Sequence, residues 1–248
     1  MSGQTYSAPA LEKGLEIIEF LSGHDAALSI ADICAGVARS KAEIYRMLLT
    51  LESKDYIRRD PQGRYALTGR LFDLGMRHPP RRNLIETALP HMRALARLAE
   101  QSCHMTILSR DQIVAIARAE SEGMITFGVK VGFRAPALTA TSGRLLFPFQ
   151  DLKAQLATCR AMQVQAHRPA FKAFMADARQ ARAQGYLMRD STYTLGITDL
   201  AAPIFQGHAR RAVAGLIVPF TTHAVCHMEK ADVLTLLRDT AQAISAEL

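Results

Sequence analysis

Apolar positions in the first 78 residues recur at helical spacing three times. Just after Pro9, Leu11, Leu15, Ile18 and Leu21 repeat every three or four residues, which predicts an amphipathic helix. The stretch Gly23–Ala27 breaks that pattern. Ser29-Ile30-Ala31-Asp32 then reads as a capping box, with Ile30, Ile33, Cys34 and Val37 as the stripe behind it. A second box, Ser40-Lys41-Ala42-Glu43, opens a third helix with Ile44, Met47, Leu48 and Leu51 as its stripe. Two short capped helices around a turn containing Gly36 suit a helix-turn-helix, and equally any small three-helix cluster.

The next segment favours the first reading. Tyr56-Ile57-Arg58-Arg59 is extended in character, Asp60-Pro61-Gln62-Gly63 is a turn, and Arg64-Tyr65-Ala66-Leu67 resumes with alternation. Three helices followed by a hairpin with arginines at its tip form the winged helix-turn-helix layout, in which the third helix enters the major groove and the wing lies on the flanking backbone or minor groove. The DNA-binding set predicted here is Arg39, Ser40, Lys41, Ala42, Tyr45 and Arg46 around the start of the third helix, with Arg58, Arg59 and Arg64 on the wing. Arg46 suits a guanine or a phosphate, and Tyr45 a phosphate or a thymine methyl. Glu43 suits either its capping role or a cytosine amine.

Thr68–Met76 reads as one short helix, and His78-Pro79-Pro80 interrupts the chain. The domain boundary is placed there. Leu84, Ala88, Met92, Leu95 and Ala99 then recur at helical spacing, with Pro90 as a kink. Arg81, Arg82, Arg93 and Arg97 make this segment basic, as a solvated face or as one near DNA or a second subunit. Beyond residue 100, strands are expected at Cys103–Leu108, Ile113–Ala119, Thr126–Val131, Tyr186–Met188, Asp199–Phe205 and Ala212–Val218. Helices are expected at Ser142–Phe149, from Pro169 to Gln184 with Gly185 as its stop, and around Val233, Leu234, Leu237, Ala241 and Ile244. Such a mixture implies an α+β domain around an antiparallel sheet. The predicted organisation is residues 1–78 as DNA-binding domain, 79–100 as linker helix, and 101–248 as effector-binding and oligomerisation domain.

Charge changes the picture through its distribution. The 248 residues carry a net +7, which favours an anionic partner without naming one. Residues 1–38 hold one base and five acids, whereas residues 39–78 hold nine bases and five acids. The basic stripe therefore coincides with the third helix and wing, as a phosphate backbone requires. No apolar run of roughly 18 residues predicts a membrane helix, and no apolar signal core is seen near the N-terminus, so a cytoplasmic protein without a membrane partner is expected. Cys34, Cys103, Cys159 and Cys226 show no CxxC spacing and read as reduced thiols.

No GxSxG, HExxH, P-loop or dinucleotide-binding glycine pattern is present, so no catalytic residue and no cofactor is predicted. His223-Ala224-Val225-Cys226-His227 and Cys103-His104 each lack a complete metal-ligand set, and no metal is expected. Two loops read as pocket walls. Thr139–Arg144 offers small hydroxyls and backbone N–H groups at a helix start, suited to an anion or simply to capping by Thr141 or Ser142. In Gly196-Ile197-Thr198-Asp199, the carboxylate at the edge of an apolar strand is either a turn residue or a polar group facing a cavity, and the second is favoured.

These residues together resemble the IclR family of bacterial transcriptional regulators, from about Leu11 to Ile244. The resemblance is carried by Ala10-Leu11-Glu12-Lys13-Gly14-Leu15-Glu16-Ile17-Ile18, Ile44-Tyr45-Arg46-Met47-Leu48 and Gly63-Arg64-Tyr65-Ala66-Leu67. It continues through Val131-Gly132-Phe133-Arg134-Ala135-Pro136, Ser142-Gly143-Arg144 and the run Leu195–Pro203. The resemblance implies a winged helix-turn-helix, a linker helix and a GAF-like ligand domain. It also implies homodimers or homotetramers on palindromic double-stranded DNA operators, and small carboxylates or aromatic acids as effectors. By position it places effector contacts on Met124, Thr141, Ser142, Ile197 and Asp199, with Arg189 or Asp190 nearby, and the Ser142-Gly143-Arg144 loop adds Gly143. The chain departs from the family at Gly36-Val37-Ala38-Arg39-Ser40-Lys41, where the turn before the third helix is spaced differently. It departs again at Asp199, where several members carry cysteine. A carboxylate there repels an anionic effector unless Arg189 or Arg144 compensates, so a hydroxylated or sugar acid suits it better than a bare acid. The expected function is a ligand-responsive regulator that performs no chemistry. The alternatives are an enzyme acting on a small carboxylate, with an accessory DNA-binding domain, and a DNA-binding protein whose second domain only dimerises.

Overall fold

The computed structural model describes residues 8–76, 79–123, 126–162, 168–207, 211–222 and 228–248. They form two compact units, Met1–Arg82 and Asn83–Leu248.

In the first unit α1 (Pro9–Ser22), α2 (Ile30–Gly36) and α3 (Lys41–Ser53) precede the strands β1 (Ile57–Arg59) and β2 (Tyr65–Leu67) and the short α4 (Arg70–Met76). Both capping boxes form as the pattern predicts. Ser29 with Asp32 opens α2, and Ser40 with Glu43 opens α3; in each box the carboxylate accepts from the N-cap N–H, and in α2 the Ser29 hydroxyl accepts from the Asp32 N–H. The core is Ile17, Leu21, Ile33, Ile44, Leu48, Ile57 and Tyr65, each worth roughly 1.5–3 kcal/mol on burial. The stripe of α1 differs from the sequence expectation. Ile17 and Leu21 are buried, while Leu11 and Leu15 are 63% and 49% exposed, because only the C-terminal half of α1 packs against the cluster formed with α2 and α3. The turn after α2 also differs. Gly36 ends the helix where a Cβ would lie 2.0 Å from the Phe20 ring, and Ala38, at φ 52°, takes the left-handed position instead. The wing pairs Ile57 with Leu67 and Arg59 with Tyr65. Its Asp60–Gly63 turn is held by the Asp60 carboxylate, which accepts from the N–H groups of Gln62 and Arg64. Leu28 and Tyr65 exchange two backbone hydrogen bonds that tie the wing to the segment before α2.

The second unit contains a six-stranded antiparallel sheet of order β5-β4-β3-β8-β7-β6. Its strands are β3 (Cys103–Ser109), β4 (Gln112–Ala119), β5 (Arg134–Pro136), β6 (Leu187–Asp190), β7 (Ile197–Gln206) and β8 (Arg211–Thr221). Period-two alternation sorts the side chains between its faces. Cys103, Met105, Leu200, Ala202, Ile204, Leu216 and Val218 pack with α5 (Pro79–Ala99) and α9 (Lys230–Ala246). From α5 that core takes Leu84, Ala88, Met92, Leu95 and Ala99. The opposite face carries Ala201 and Ile217, which pack with Leu145 of α6 (Thr141–Leu146) and Ala181 of α8 (Pro169–Gln184). Gly185, at φ 77°, stops α8 as expected.

Three local expectations are corrected. Thr126–Val131 is not a strand: its alternating Phe127 and Val129 line a cavity, and the edge strand beside β4 is Arg134–Pro136. Neither Thr141 nor Ser142 caps α6, whose N-cap is Ala140. A helix that the apolar pattern did not indicate, α7 (Leu152–Ala161), starts at Asp151, which accepts from Ala154 N–H. It buries Thr158 while Leu152 and Leu156 stay exposed, so no inward stripe announced it.

Candidate functional site

The sheet face that carries Ile217 also carries His104, Asp199 and Pro219, all lining a cavity of about 70 Å3. α6 closes one side with Thr141 and Ser142, the 126–133 loop another with Phe127, Val129 and Phe133, and the loop after β6 a third with Ser191, Tyr193 and Thr194. At the mouth Tyr193 stands edge-on to Phe133, centroids 5.9 Å apart, and its hydroxyl lies 2.9 Å from that of Thr139.

Asp199 is therefore a cavity residue. Thr141 Oγ1 donates to Asp199 Oδ2 at 2.8 Å. Burial raises the Asp199 carboxyl above its ordinary pKa, against the opposing pull of the Thr141 and Ser191 hydroxyls and of the Arg189 charge. Arg189 is the cross-strand partner of Asp199, but its guanidinium is spent elsewhere. Arg189 Nη1 and Arg144 Nη1 both reach Asp177 Oδ2, at 2.9 and 2.5 Å. Neither arginine lines the cavity, and no Lys or Arg does so among the described residues.

His104 was missed as a pocket residue by sequence reasoning, which weighed it only as a metal ligand. It is 7% exposed, and its Nδ1 has no hydrogen-bond partner in the protein. Burial, reinforced by the charge of Arg118, pushes its pKa down to about 4. The usable signal was the alternation of β3: with Cys103 and Met105 facing one way, His104 must share the opposite face with Asp199.

Of the remaining predicted effector residues, Gly143, Ile197 and Asp190 do not line this cavity. Gly143 lies where a Cβ would stand 2.3 Å from the Ala137 carbonyl oxygen, so its role is close packing. Ile197 is buried on β7. Asp190 accepts from Thr198 Oγ1 at 3.4 Å. Met124 lies outside the described residues, as do His223, Cys226 and His227. Among the described residues, no group of three or more metal-ligating side chains is present.

In the first unit the expected DNA-contact residues divide into two groups. Lys41, Ala42, Tyr45 and Arg46 are exposed on α3, and Arg58 is exposed on the wing. The others are engaged within the fold. Arg39 makes a two-pronged pair with Glu16, at 2.7 and 2.9 Å, Ser40 completes the α3 cap, Arg59 lies over the Tyr65 ring, and Arg64 pairs with Asp60 at 2.8 Å.

Residues 10–61 match the model of the IclR helix-turn-helix domain, and residues 79–246 match that of the bacterial transcriptional regulator IclR C-terminal domain. The chain belongs to the IclR family. Its relatives include the HTH-type transcriptional regulator KdgR of Escherichia coli K12, 26% identical and matched over 99% of this chain and 94% of its own. The HTH-type transcriptional repressor AllR of the same organism is 24% identical, over 97% and 90%. Solved structures of the same fold include an IclR homologue from Microbacterium hydrocarbonoxydans complexed with 4-hydroxybenzoate, with a TM-score of 0.78, 19% identity, and coverage of 96% of this chain and 98% of its own. An IclR regulator from Alicyclobacillus acidocaldarius superposes with a TM-score of 0.76, 22% identity, and 98% and 99% coverage. This IclR member is thus a transcriptional regulator with a DNA-binding helix-turn-helix and an effector-binding C-terminal domain. The family's members are regulators and not enzymes. No helix among the described residues is long and apolar enough to cross a membrane.

Proposed function

We propose that this IclR regulator binds a palindromic operator as a dimer or tetramer and is controlled by a small hydroxylated acid held in the cavity around Asp199. Residues 1–78 act as the DNA module, 79–100 as the linker, and 101–248 as the effector and assembly module. The exposed face of α3, with Lys41, Tyr45 and Arg46, reads the major groove, and Arg58 grips the flanking phosphates. Arg39 positions α3 through Glu16. The observation that carries the effector class is the Thr141–Asp199 pair in a cavity whose described lining has no Lys or Arg. An ionised carboxylate only accepts hydrogen bonds, so the ligand must bring a donor, which hydroxyl groups supply and a bare acid does not. Ligand binding then changes operator affinity by favouring one placement of the DNA modules over another.

Thermal denaturation of the full chain with matched three-carbon acids tests the reading. D-glycerate should raise Tm and propionate should not, because a ligand specific for the native state stabilises it by mass action. Equal responses to the two overturn the hydroxylated class.

A further inference from the structure

We propose that the cavity is polarised end to end, with His104, backed by Arg118, taking the acid group of the effector and Asp199 taking its hydroxyls. The inference rests on the effector reading above and gives the ligand a direction.

Strand register sets the two ends. His104 on β3 faces Ile217 on β8, and Asp199 on β7 faces Pro219 on the same β8. With strands ~4.8 Å apart and ~3.4 Å per residue along each, the two Cα atoms stand roughly 12 Å apart. Both side chains point into the same cavity. The gap between their polar tips therefore suits a chain of about three to six carbons.

The two ends differ in sign. Asp199 is an acceptor that already holds the Thr141 hydroxyl. At the other end two buried polar atoms have no protein partner, His104 Nδ1 and Arg118 Nε. They belong to directly paired residues of β3 and β4. Arg118 is held on its outer side by Glu120, Nη2 to Oε1 at 2.7 Å. Its inner side lies under Gly128, where a Cβ would come within 2.9 Å of Arg118 Nε. Gly128 thus lets the loop that bears Phe127 and Val129 settle over the guanidinium. A buried, unpartnered imidazole nitrogen is costly, and a carboxylate accepting from it recovers that loss. The neutral ring has one N–H to donate, and the Arg118 charge behind it favours an anion. Arg118 thus places a positive charge behind the acid-binding end of the cavity, while Arg144 and Arg189 are held by Asp177.

The experiment uses the full chain and three six-carbon probes: gluconate, with acid and hydroxyls; glucitol, with hydroxyls alone; and hexanoate, with the acid alone. Each is titrated by thermal shift against wild type, His104→Phe, His104→Gln, Arg118→Met and Asp199→Asn, with the unliganded Tm of each variant as the folding control. Wild type should respond to gluconate at a concentration at least tenfold lower than to glucitol or hexanoate. His104→Phe and Arg118→Met should lose the preference for gluconate over glucitol, His104→Gln should recover part of it, and Asp199→Asn should lose the preference for gluconate over hexanoate. If His104→Phe and Arg118→Met still prefer gluconate over glucitol as wild type does, while Asp199→Asn loses its hydroxyl preference, the polarity is overturned and the effector reading stands. If wild type responds to neither gluconate nor D-glycerate at 10 mM, the effector reading falls and the polarity with it.

Discussion

The two units place their polar groups in opposite ways. In the winged-helix unit the acids and bases are at the surface and largely answer one another: Asp32 and Glu43 cap helices, Asp60 holds the wing turn, and Glu16 holds Arg39. In the second unit polar groups are carried inside, and several are left without a protein partner, among them His104 Nδ1, Thr106 Oγ1, Arg118 Nε and Arg144 Nε. Buried polar atoms without partners are rare in native folds because each is costly. Their concentration on one sheet and on the helix α6 packed against it marks a fold that recognises from within, whereas the first unit recognises with its outside.

The sharpest way to break this contrast is at Gly143, where interior packing has no slack. Gly143→Ala places a Cβ 2.3 Å from the Ala137 backbone oxygen. It should cost about 3 kcal/mol, at the upper end for overpacking. That corresponds to a Tm loss of roughly 6–12 °C in the second unit, read by calorimetry. An exposed substitution in the first unit should not move stability comparably.

Next in size is Arg46→Ala, which should leave Tm unchanged and weaken specific operator binding by ~1–3 kcal/mol if the side chain reads a base. Arg58→Ala should weaken all DNA sequences alike and lower the salt slope by about one. Fluorescence anisotropy with cognate and scrambled duplexes over a salt series separates the two roles.

Two pH experiments carry opposite signs. The Asp199 carboxyl is raised in the fold, so the native state holds its proton more tightly, and stability falls as pH rises from the ordinary value of 3.8 through the higher folded one. Asp199→Asn should therefore melt higher than wild type at pH 7, by a few degrees at about 2–4 °C per kcal/mol. The gain should vanish below the ordinary carboxylate range. Glu43 is held down to about 2 from an ordinary 4.5, first by the Ser40 backbone N–H and then by its hydroxyl and Lys13. Its contribution is present above pH 4.5 and lost as pH falls toward 2. Glu43→Gln should flatten that acid loss in the first unit, the smallest of these effects because the group lies at the surface. Acid melts followed by circular dichroism would show whether the two slopes share a sign, which would remove the contrast.

Local rules made most of the first unit legible. Capping boxes, the stripe of α3 and the arginine-tipped hairpin are short-range patterns, and they were readable because each is satisfied by neighbours within a few residues. Where a partner from elsewhere in the chain intervened, the reading slipped. Phe20 set the place of Gly36, and the reach of the core decided that Ile17, rather than Leu11 or Leu15, is buried. In the second unit the strand alternation was legible, but the site was only half so. Asp199, Thr141 and Ser142 were found, while His104 and Arg118 were not, since nothing adjacent in sequence separates a cavity histidine from a core one.

The sequence by itself determined most of the elements, the family, and which strand positions share a face, because periodicity and capping are properties of nearby residues. Only the tertiary structure decided which charges are spent and which remain. Arg39 belongs to Glu16, and Arg144 and Arg189 belong to Asp177, through pairs whose members lie 12 to 33 positions apart in the chain. Whether a charged group is free depends on the burial and geometry of a partner brought in by the fold, and that information is not local to any segment.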